Sequence, residues 1–484
     1  MSFLGIDLGT SGVKAVVVGQ DGAVLAQATA PLEASQPRPL WSEQGPEDWW
    51  RAAGAAIAAL GTARGRLRAI GLSGQMHGAV CLDAADRVLR PAILWNDGRS
   101  FAECTVLDAP ARRIVGNPAL PGFTAPKLLW LRTHEAEVFA AARRVLLPKD
   151  WLRLRMTGDA VSEMSDASGT LWLDVARRAW SAEMLARTGL DSSYMPRLVE
   201  GSAISGTLRA DVAAEWGLPA GIPVAGGGGD NAAGAVGVGC VAPGRAFVSL
   251  GTSGVIFVAD ATHLPDPDRT VHAFCHALPG RWHRMAVILS AAAALRWATR
   301  ALGAASEAAL LAEVKAAGAE SDNRVVFLPY LSGERTPHND PAAAGAWFGM
   351  DGGTTRADLA RAVLEGVAFA LADGLDALEA QGGRIPTLSV IGGGARSALW
   401  GRILATVLDR PLVFRAGGEI GPALGAARLA MLAAGADAAE VLTEPPVARV
   451  QMPEPALADG LARRRAIFRD LYPALKDRFA ESVR

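Results

Sequence analysis

Asp230 ends a run of four glycines, Gly226–Gly229, and heads a small-residue stretch, Ala232–Gly239. A carboxylate leaving a strand end into space cleared by glycines can approach a substrate closely. It could take the proton from a hydroxyl as that oxygen attacks phosphorus. Capping of the following helix would also place an aspartate here, although capping does not call for four preceding glycines. The pentapeptide Gly-Thr-Ser-Gly-Val occurs twice, at Gly9–Val13 and Gly251–Val255, each time between two β-type runs. Its successive backbone N–H groups and hydroxyls suit phosphate oxygens, and the glycines offer no Cβ obstruction. One copy is ordinary hairpin chemistry. Two copies, one in each half, read as jaws on a polyphosphate, which makes Gly9, Thr10, Ser11, Gly251, Thr252 and Ser253 candidate nucleotide contacts.

Lys14, just past the first loop, either reaches a phosphate or is an exposed strand lysine. Asp7 precedes that loop inside an apolar strand, where a lone carboxylate is costly. A magnesium ion carried by ATP and held through water would partner it; capping of the turn is the alternative. Gln75-Met76-His77-Gly78 and Trp95-Asn96-Asp97-Gly98-Arg99 each follow a strand-like run and combine hydrogen-bonding groups with a flat or apolar surface, as a sugar site does. His77 in a turn and Trp95 in a core are the structural alternatives. Gly393, Gly394, Ala395 and Arg396 lie in a glycine cluster, Gly392–Ser397, that would let an adenine ring or ribose rest on the backbone, or that simply turns strand into helix. Other nucleotide motifs fail. No lysine directly follows a glycine, so a Walker A loop is absent. Gly227, Gly229 and Ala232 match only the looser GxGxxA form, with no acidic residue about 20 positions on to hold a ribose.

Strands are expected at Ser2–Val18 (broken by the first loop), Ala23–Thr29, Arg68–Gly74, Ala79–Leu82, Val88–Leu94 and Pro223–Gly229. The second half restarts with strand, loop, strand over Ala246–Val258, then strands at Val325–Leu328 and Thr387–Ile391 around a long helix, Arg356–Gln381. Another helix follows a loop near Ala125–Pro126 and carries Lys127 and Trp130; the segment 417–430 leads into C-terminal helices. Strands alternating with long helices predict mixed α/β sheets covered on both faces, and the repeated loop predicts an internal duplication with its boundary near Val241–Arg245.

With 484 residues, two domains are expected. A net charge of −1 without any Lys/Arg block gives nucleic acid or an anionic membrane surface nothing to hold. The longest apolar run, near Met285–Leu295, is shorter than the ~18–20 residues of a membrane span. Cys81, Cys104, Cys240 and Cys275 are scattered, which predicts a reduced, cytoplasmic protein without structural zinc. Only five lysines occur, so each invites attention.

The sequence resembles the FGGY carbohydrate kinases, within the actin-like ATPase superfamily, over nearly its whole length. GIDLGTSGVK (Gly5–Lys14), SLGTSG (Ser249–Gly254) and IGGGARS (Ile391–Ser397) resemble the two phosphate motifs and the adenosine motif. GFTAPKLLW (Gly122–Trp130) and GAWFGMDGGTTRADLARAVLE (Gly345–Glu365) resemble the family's signature segments. The resemblance implies an α/β protein of two RNase H-like domains with an interdomain cleft. Residues 1–244 would carry the sugar site and first phosphate loop, and residues 245–484 the second phosphate loop and the adenosine site. It implies ATP and Mg²⁺ as cofactors, Asp230 as proton acceptor, Met76 and His77 on the sugar, and Asp7 facing the metal. GQMHG (Gly74–Gly78), ILWNDGR (Ile93–Arg99) and GGGDNAAG (Gly227–Gly234) resemble the segments of family members that phosphorylate a ketose of the D-xylulose type. On that resemblance Gln75, Trp95, Asn96, Asp97 and Asn231 join the sugar site. Ala232–Gly239 and Ala423–Ala430 resemble the superfamily's connecting helices, with a hinge expected near Ala232–Val241. A kinase for another ketose, polyol or aldonate is the nearest alternative, and an actin-like or chaperone-like ATPase the more distant one. A homodimer is left open.

Overall fold

The computed structural model describes residues 1–318, 323–416 and 421–482. In the first half, β1 (Ser2–Leu8), β2 (Gly12–Gly19) and β3 (Val24–Pro31) form an antiparallel meander. β4 (Leu67–Gly74) lies parallel to β1 on its other side. Beyond it come β5 (Ile204–Thr207) at the edge and β6 (Pro223–Ala225), while β7 (Gly228–Gly229) pairs with the end of β4. The spatial order is β5-β6-β4-β1-β2-β3.

The second half repeats the plan. Its strands are β8 (Ala246–Leu250), β9 (Gly254–Asp260), β10 (His272–Cys275), β11 (Trp282–Ile288), β12 (Leu388–Ile391), β13 (Leu412–Arg415) and β14 (Val447–Gln451). They run in the order β10-β11-β9-β8-β12-β13-β14. The inner five strands correspond, β3-β2-β1-β4-β6 against β11-β9-β8-β12-β13, with the same parallel and antiparallel pairs. The expected duplication is therefore present in topology as well as in the loop sequence.

Six helices matter to the site: α1 (Thr124–His134), α2 (Pro148–Thr157), α3 (Asp230–Gly237), α4 (Arg356–Gly382), α5 (Gly421–Ala433) and α6 (Pro455–Ser482). α4 starts at a capping box, Thr355 with Asp358, and buries Val363, Leu364, Val367 and Leu371 against the second sheet. α5 comes from the second half yet covers the first sheet. A Cβ on Gly5 would lie 2.0 Å from the Ala423 carbonyl oxygen, and one on Gly71 would lie 1.8 Å from that of Ala426. The same helix crosses α3, where a Cβ on Gly425 would meet the Ala233 oxygen at 1.7 Å. Glycine permits these contacts because any side chain would overlap backbone. A third core joins the halves: Phe123, Trp130 and Trp172 pack with Phe247, Phe257, Phe274 and Met285.

Three local expectations change. The strand expected over 88–94 is reduced to Ala92–Ile93, with Val88 making a single bridge to Leu82, because Pro91 lacks the N–H that a ladder needs. The expected strand Pro223–Gly229 breaks at Gly227, whose φ of 78° suits glycine and whose Cβ would sit 2.0 Å from the Leu72 oxygen. The helix expected from Ala232 begins at Asp230. Of the segment 417–430, residues 417–420 lie outside the described residues.

Candidate active site

In each sheet the parallel strands end on the same side: β1, β4 and β7 at Leu8, Gly74 and Gly229, and β8 and β12 at Leu250 and Ile391. Ligands of open α/β sheets bind at such carboxyl ends. Asp7 is opposite Ser73 on β4 and Lys14 on β2, and Ser73 Oγ donates to its Oδ1 at 2.9 Å. Gly228 pairs with Ser73 and Gly229 with Gly74, so Asp230 emerges one residue past the sheet. Gly229 is the N-cap of α3 and Asp230 its first helical residue, with no side chain capping the helix. The Asp230 Oδ1 instead accepts from the backbone N–H (2.7 Å) and Nδ2 (2.9 Å) of Asn231. Burial and then the Asp7 charge push the Asp230 carboxyl up to about 7, against the pull of the Asn231 bonds. Burial also raises Asp7, with Ser73 and Lys14 opposing. Two carboxylates that feel one another, one tuned near neutrality, suit a base beside a cation-bearing substrate.

A buried cluster holds Gly229 in place. Its N–H donates to Glu163 Oε1 (3.1 Å) and Ser165 Oγ (3.0 Å). Lys149, fully buried on α2, supports this cluster through Asp150 (2.8 Å) and Asp166 (3.3 Å).

Met76 packs beside Gly229, the residue before Asp230, and His77 follows it in the turn. A Cβ on Gly229 would lie 2.8 Å from Met76 Sδ. His77 has φ of 70°, a conformation uncommon outside glycine. Its carbonyl oxygen accepts from Lys127 Nζ (2.9 Å) and Thr124 Oγ1 (3.1 Å), which pins the turn to α1. Its Nδ1 donates to the Gly169 oxygen at 2.6 Å, which leaves Nε2 as an acceptor. Burial pulls its pKa down to about 3, so the ring is neutral. Phe123 meets it edge to face at 4.8 Å between ring centroids.

The remaining sequence candidates fall into two groups. Gln75 is buried with its amide engaged by protein: Nε2 donates to Gln44 (3.0 Å) and Oε1 accepts from Thr10 Oγ1 (3.1 Å). Trp95 Nε1 donates to the same Thr10 hydroxyl at 3.0 Å, so the segments carrying Gln75 and Trp95 both hold the Gly9–Ser11 loop directly. Asp97 is buried and engaged by Arg99 and the Ser42 N–H (2.6 Å), whereas Asn96 is exposed. In the second half, the Gly251 and Thr252 carbonyls accept from the N–H groups of Ala292 and Ala291, both at 2.9 Å, which engages those oxygens with protein. Ser253 is half-buried in the same loop. The turn Gly393–Arg396, which contains Gly394 and Ala395, packs on that loop: a Cβ on Gly392 (φ 88°) would lie 2.8 Å from the Leu250 oxygen. Gly9 closes the first loop by donating to the Gly12 oxygen at 3.0 Å, and Ser11 is exposed. A cavity of about 570 Å³, lined by Arg245, Arg284, Arg415 and Glu444, lies at the opposite end of the second sheet and is separate from this site.

Residues 2–237 match the N-terminal domain of the FGGY family of carbohydrate kinases, and residues 246–434 match its C-terminal domain. The chain belongs to the FGGY family of carbohydrate kinases. It is 52% identical over 480 residues to a xylulose kinase of Escherichia coli (strain K12), covering 98% of this chain and 99% of that one. It is 38% identical to the xylulose kinase of Bacillus subtilis (strain 168), over 89% of this chain and 88% of that one. A crystal structure described as a xyloylose kinase from Brucella ovis superposes with a TM-score of 0.92 at 51% identity, over 99% and 100% of the two chains. A gluconate kinase from Lactobacillus acidophilus has a TM-score of 0.93 at 24% identity, over 99% of each chain, and shows only the shared fold.

The expected family and two-domain actin-like fold are thus borne out, and the protein is an ATP-dependent carbohydrate kinase. Sequence reading missed Ser73, Glu163, Ser165 and the supporting role of Lys127. The scarcity of lysine was a signal for Lys127; nothing in the local sequence marked the others, because their partners are 64 to 66 residues away.

Proposed function

We propose that this kinase transfers the γ-phosphoryl group of ATP to D-xylulose, giving D-xylulose 5-phosphate and ADP, with Asp230 as the general base. The observation that carries the reading is the position of Asp230, one residue past the sheet, buried within reach of the Asp7 charge and next to Gly229, which packs on Met76. The similarity to xylulose kinases across nearly the whole chain supports the choice of sugar.

The donor set fits a magnesium ion arriving with the nucleotide. A buried carboxylate raised further by the charge of a second one is relieved by a cation, and among the described residues no group of three or more His, Cys, Asp or Glu forms a closed metal cage. Magnesium is commonly held by one or two carboxylates plus phosphates and water. Bound there, the ion supplies charge neutralisation at the phosphates. Met76 and His77 orient the sugar, with His77 Nε2 accepting a hydrogen bond from a sugar hydroxyl. Asp230 accepts the proton of the attacking hydroxyl. The Gly9–Ser11 and Gly251–Ser253 loops, with Lys14 beside the first, hold the polyphosphate, and Gly393–Arg396 receives the adenosine. Gln75, Trp95 and Asp97 act by holding the Thr10 loop and its neighbours, while Asn96 and Asn231 flank the sugar. Closure about the α3–α5 crossing excludes water that would compete with the sugar.

The four cysteines are buried free thiols, which fits a reducing cytoplasm. No helix among the described residues is long and apolar enough to cross a membrane. The test is ADP release with MgATP across D-xylulose, D-ribulose, L-ribulose, glycerol and gluconate. D-xylulose should give the highest kcat/KM, with little ADP formed when sugar is omitted. Equal ADP release without sugar would overturn the kinase chemistry.

A further inference from the structure

Arg335 comes from the second half of the chain but reaches the first half's sugar-side turn. Its Nη2 would lie 3.5 Å from a Cβ on Gly122, and Gly122 accepts from the same Lys127 that pins His77. The guanidinium bears electrostatically on His77, Lys127 and His272, and does not register among the influences on Asp230. It therefore stands beside the Gly122–Lys127 contact that pins the His77 turn.

The backbone carrying it is tightly held. Glu334 Oε1 accepts from the N–H groups of Leu289 (2.9 Å) and Arg335 (2.7 Å). The Thr336 N–H donates to the Val287 oxygen at 3.0 Å, and its hydroxyl donates to the Thr270 oxygen at 2.9 Å. The guanidinium itself has no acceptor within hydrogen-bond distance and no carboxylate within ion-pair distance among the described residues. Burial lowers its pKa to about 10, so it stays charged. A charged, half-buried fork of donors without a protein acceptor is open to one from a ligand.

Resting on the D-xylulose reading, we propose that Arg335 donates hydrogen bonds to the ketose carbonyl oxygen and so selects a ketopentose over the corresponding pentitol. A carbonyl oxygen only accepts, which matches a group that only donates. A hydroxyl in its place brings a hydrogen that must find its own acceptor beside a cation. His77 Nε2, the acceptor nearby, takes the neighbouring hydroxyl. The site thus reads a hydroxyketone as one acceptor next to one donor.

The experiment compares D-xylulose with xylitol on the full-length protein, wild type, Arg335→Met and Arg335→Lys, as KM and kcat or as Ki where turnover is slow. Arg335→Met should lower kcat/KM for the ketose about 10–100-fold, mainly through KM, while the pentitol changes about threefold or less and KM for ATP is unmoved. Arg335→Lys should recover part of the ketose preference, since it keeps the charge without the planar fork. Equal losses for both sugars, or an unchanged ketose KM in either variant, would overturn the inference while leaving the kinase reading intact. Wild-type protein inactive on D-xylulose would instead remove the D-xylulose reading, and this inference with it.

Discussion

The two glycine loops share a sequence and a backbone setting, but their surroundings differ. Asp7-Leu8-Gly9-Thr10 corresponds to Ser249-Leu250-Gly251-Thr252, each joining the central strand to its antiparallel neighbour. Around the first loop stand Asp7, Ser73, Lys14 and, one residue past the sheet, Asp230. At matching places around the second stand Ser249, Ile391 and Val255. Duplication thus supplied two phosphate-sized turns, and the ionisable groups accumulated on one of them. The other is buttressed by an apolar, glycine-rich turn at Gly392–Arg396 that can accept a flat base. On the proposed reading, acid–base work and nucleotide packing are divided between copies of one motif.

Removing the charge from the first copy tests that division most severely. Asp230→Ala or Asp230→Asn should lower sugar phosphorylation by about 10²–10⁴ while ATP affinity, followed by calorimetry, stays within a few-fold. A variant keeping more than about a tenth of wild-type kcat would sink the assignment.

Exchanging the copies' chemistry gives the next largest effect. Asp7→Ser, which makes the first loop resemble the second, should raise the Mg²⁺ concentration needed for half-maximal rate. Ser249→Asp should weaken ATP binding about tenfold, or about 1.4 kcal/mol, by placing a carboxylate near the phosphates. Titrations of Mg²⁺ and ATP separate the two, and identical behaviour of both variants would contradict a division of labour.

A further change touches only the second copy's support. Gly392→Ala places a methyl group 2.8 Å from the Leu250 oxygen at a φ of 88°. It should raise KM for ATP several-fold with the KM for sugar unchanged, as steady-state kinetics with each substrate varied would show.

The smallest effect is on stability. Asp230 binds its proton more tightly folded than unfolded, so its contribution to stability is fully present below the unfolded-state pKa near 4 and is lost as pH rises through about 7. Asp230→Asn, which cannot ionise, should therefore melt a few degrees higher than wild type at pH 8, with the difference shrinking toward pH 4. The same titration should give kcat/KM an acid limb near pH 7 in the wild-type enzyme. A variant melting lower than wild type at pH 8 would show that the carboxylate is not strained in the folded protein.

Much of this site was legible in the residues. Glycine loops, the Gly226–Asp230 run and alternating strand patterns are local signals, because a tight turn or a strand face restricts residue type over a few positions. Asp7 and Asp230 were singled out for that reason, whereas Met76 and His77 were assigned to the sugar through the family resemblance. The fate of Val88–Leu94 was less legible, since a short β-branched run reads as strand unless its partners and its proline are weighed together.

What the sequence alone determined is the repeated strand–loop–strand plan, the family and the place of Asp230 at the end of its glycine run. Only the tertiary structure decided that Gln75 and Trp95 brace Thr10, that Lys127 holds His77, and that Glu163 and Ser165 hold Gly229. It alone decided that α5 crosses back onto the first sheet and that Arg335 reaches the sugar turn from the second half. These are contacts between residues tens to hundreds of positions apart. No local periodicity encodes them, because they depend on how whole elements pack and on which buried polar groups must find partners there.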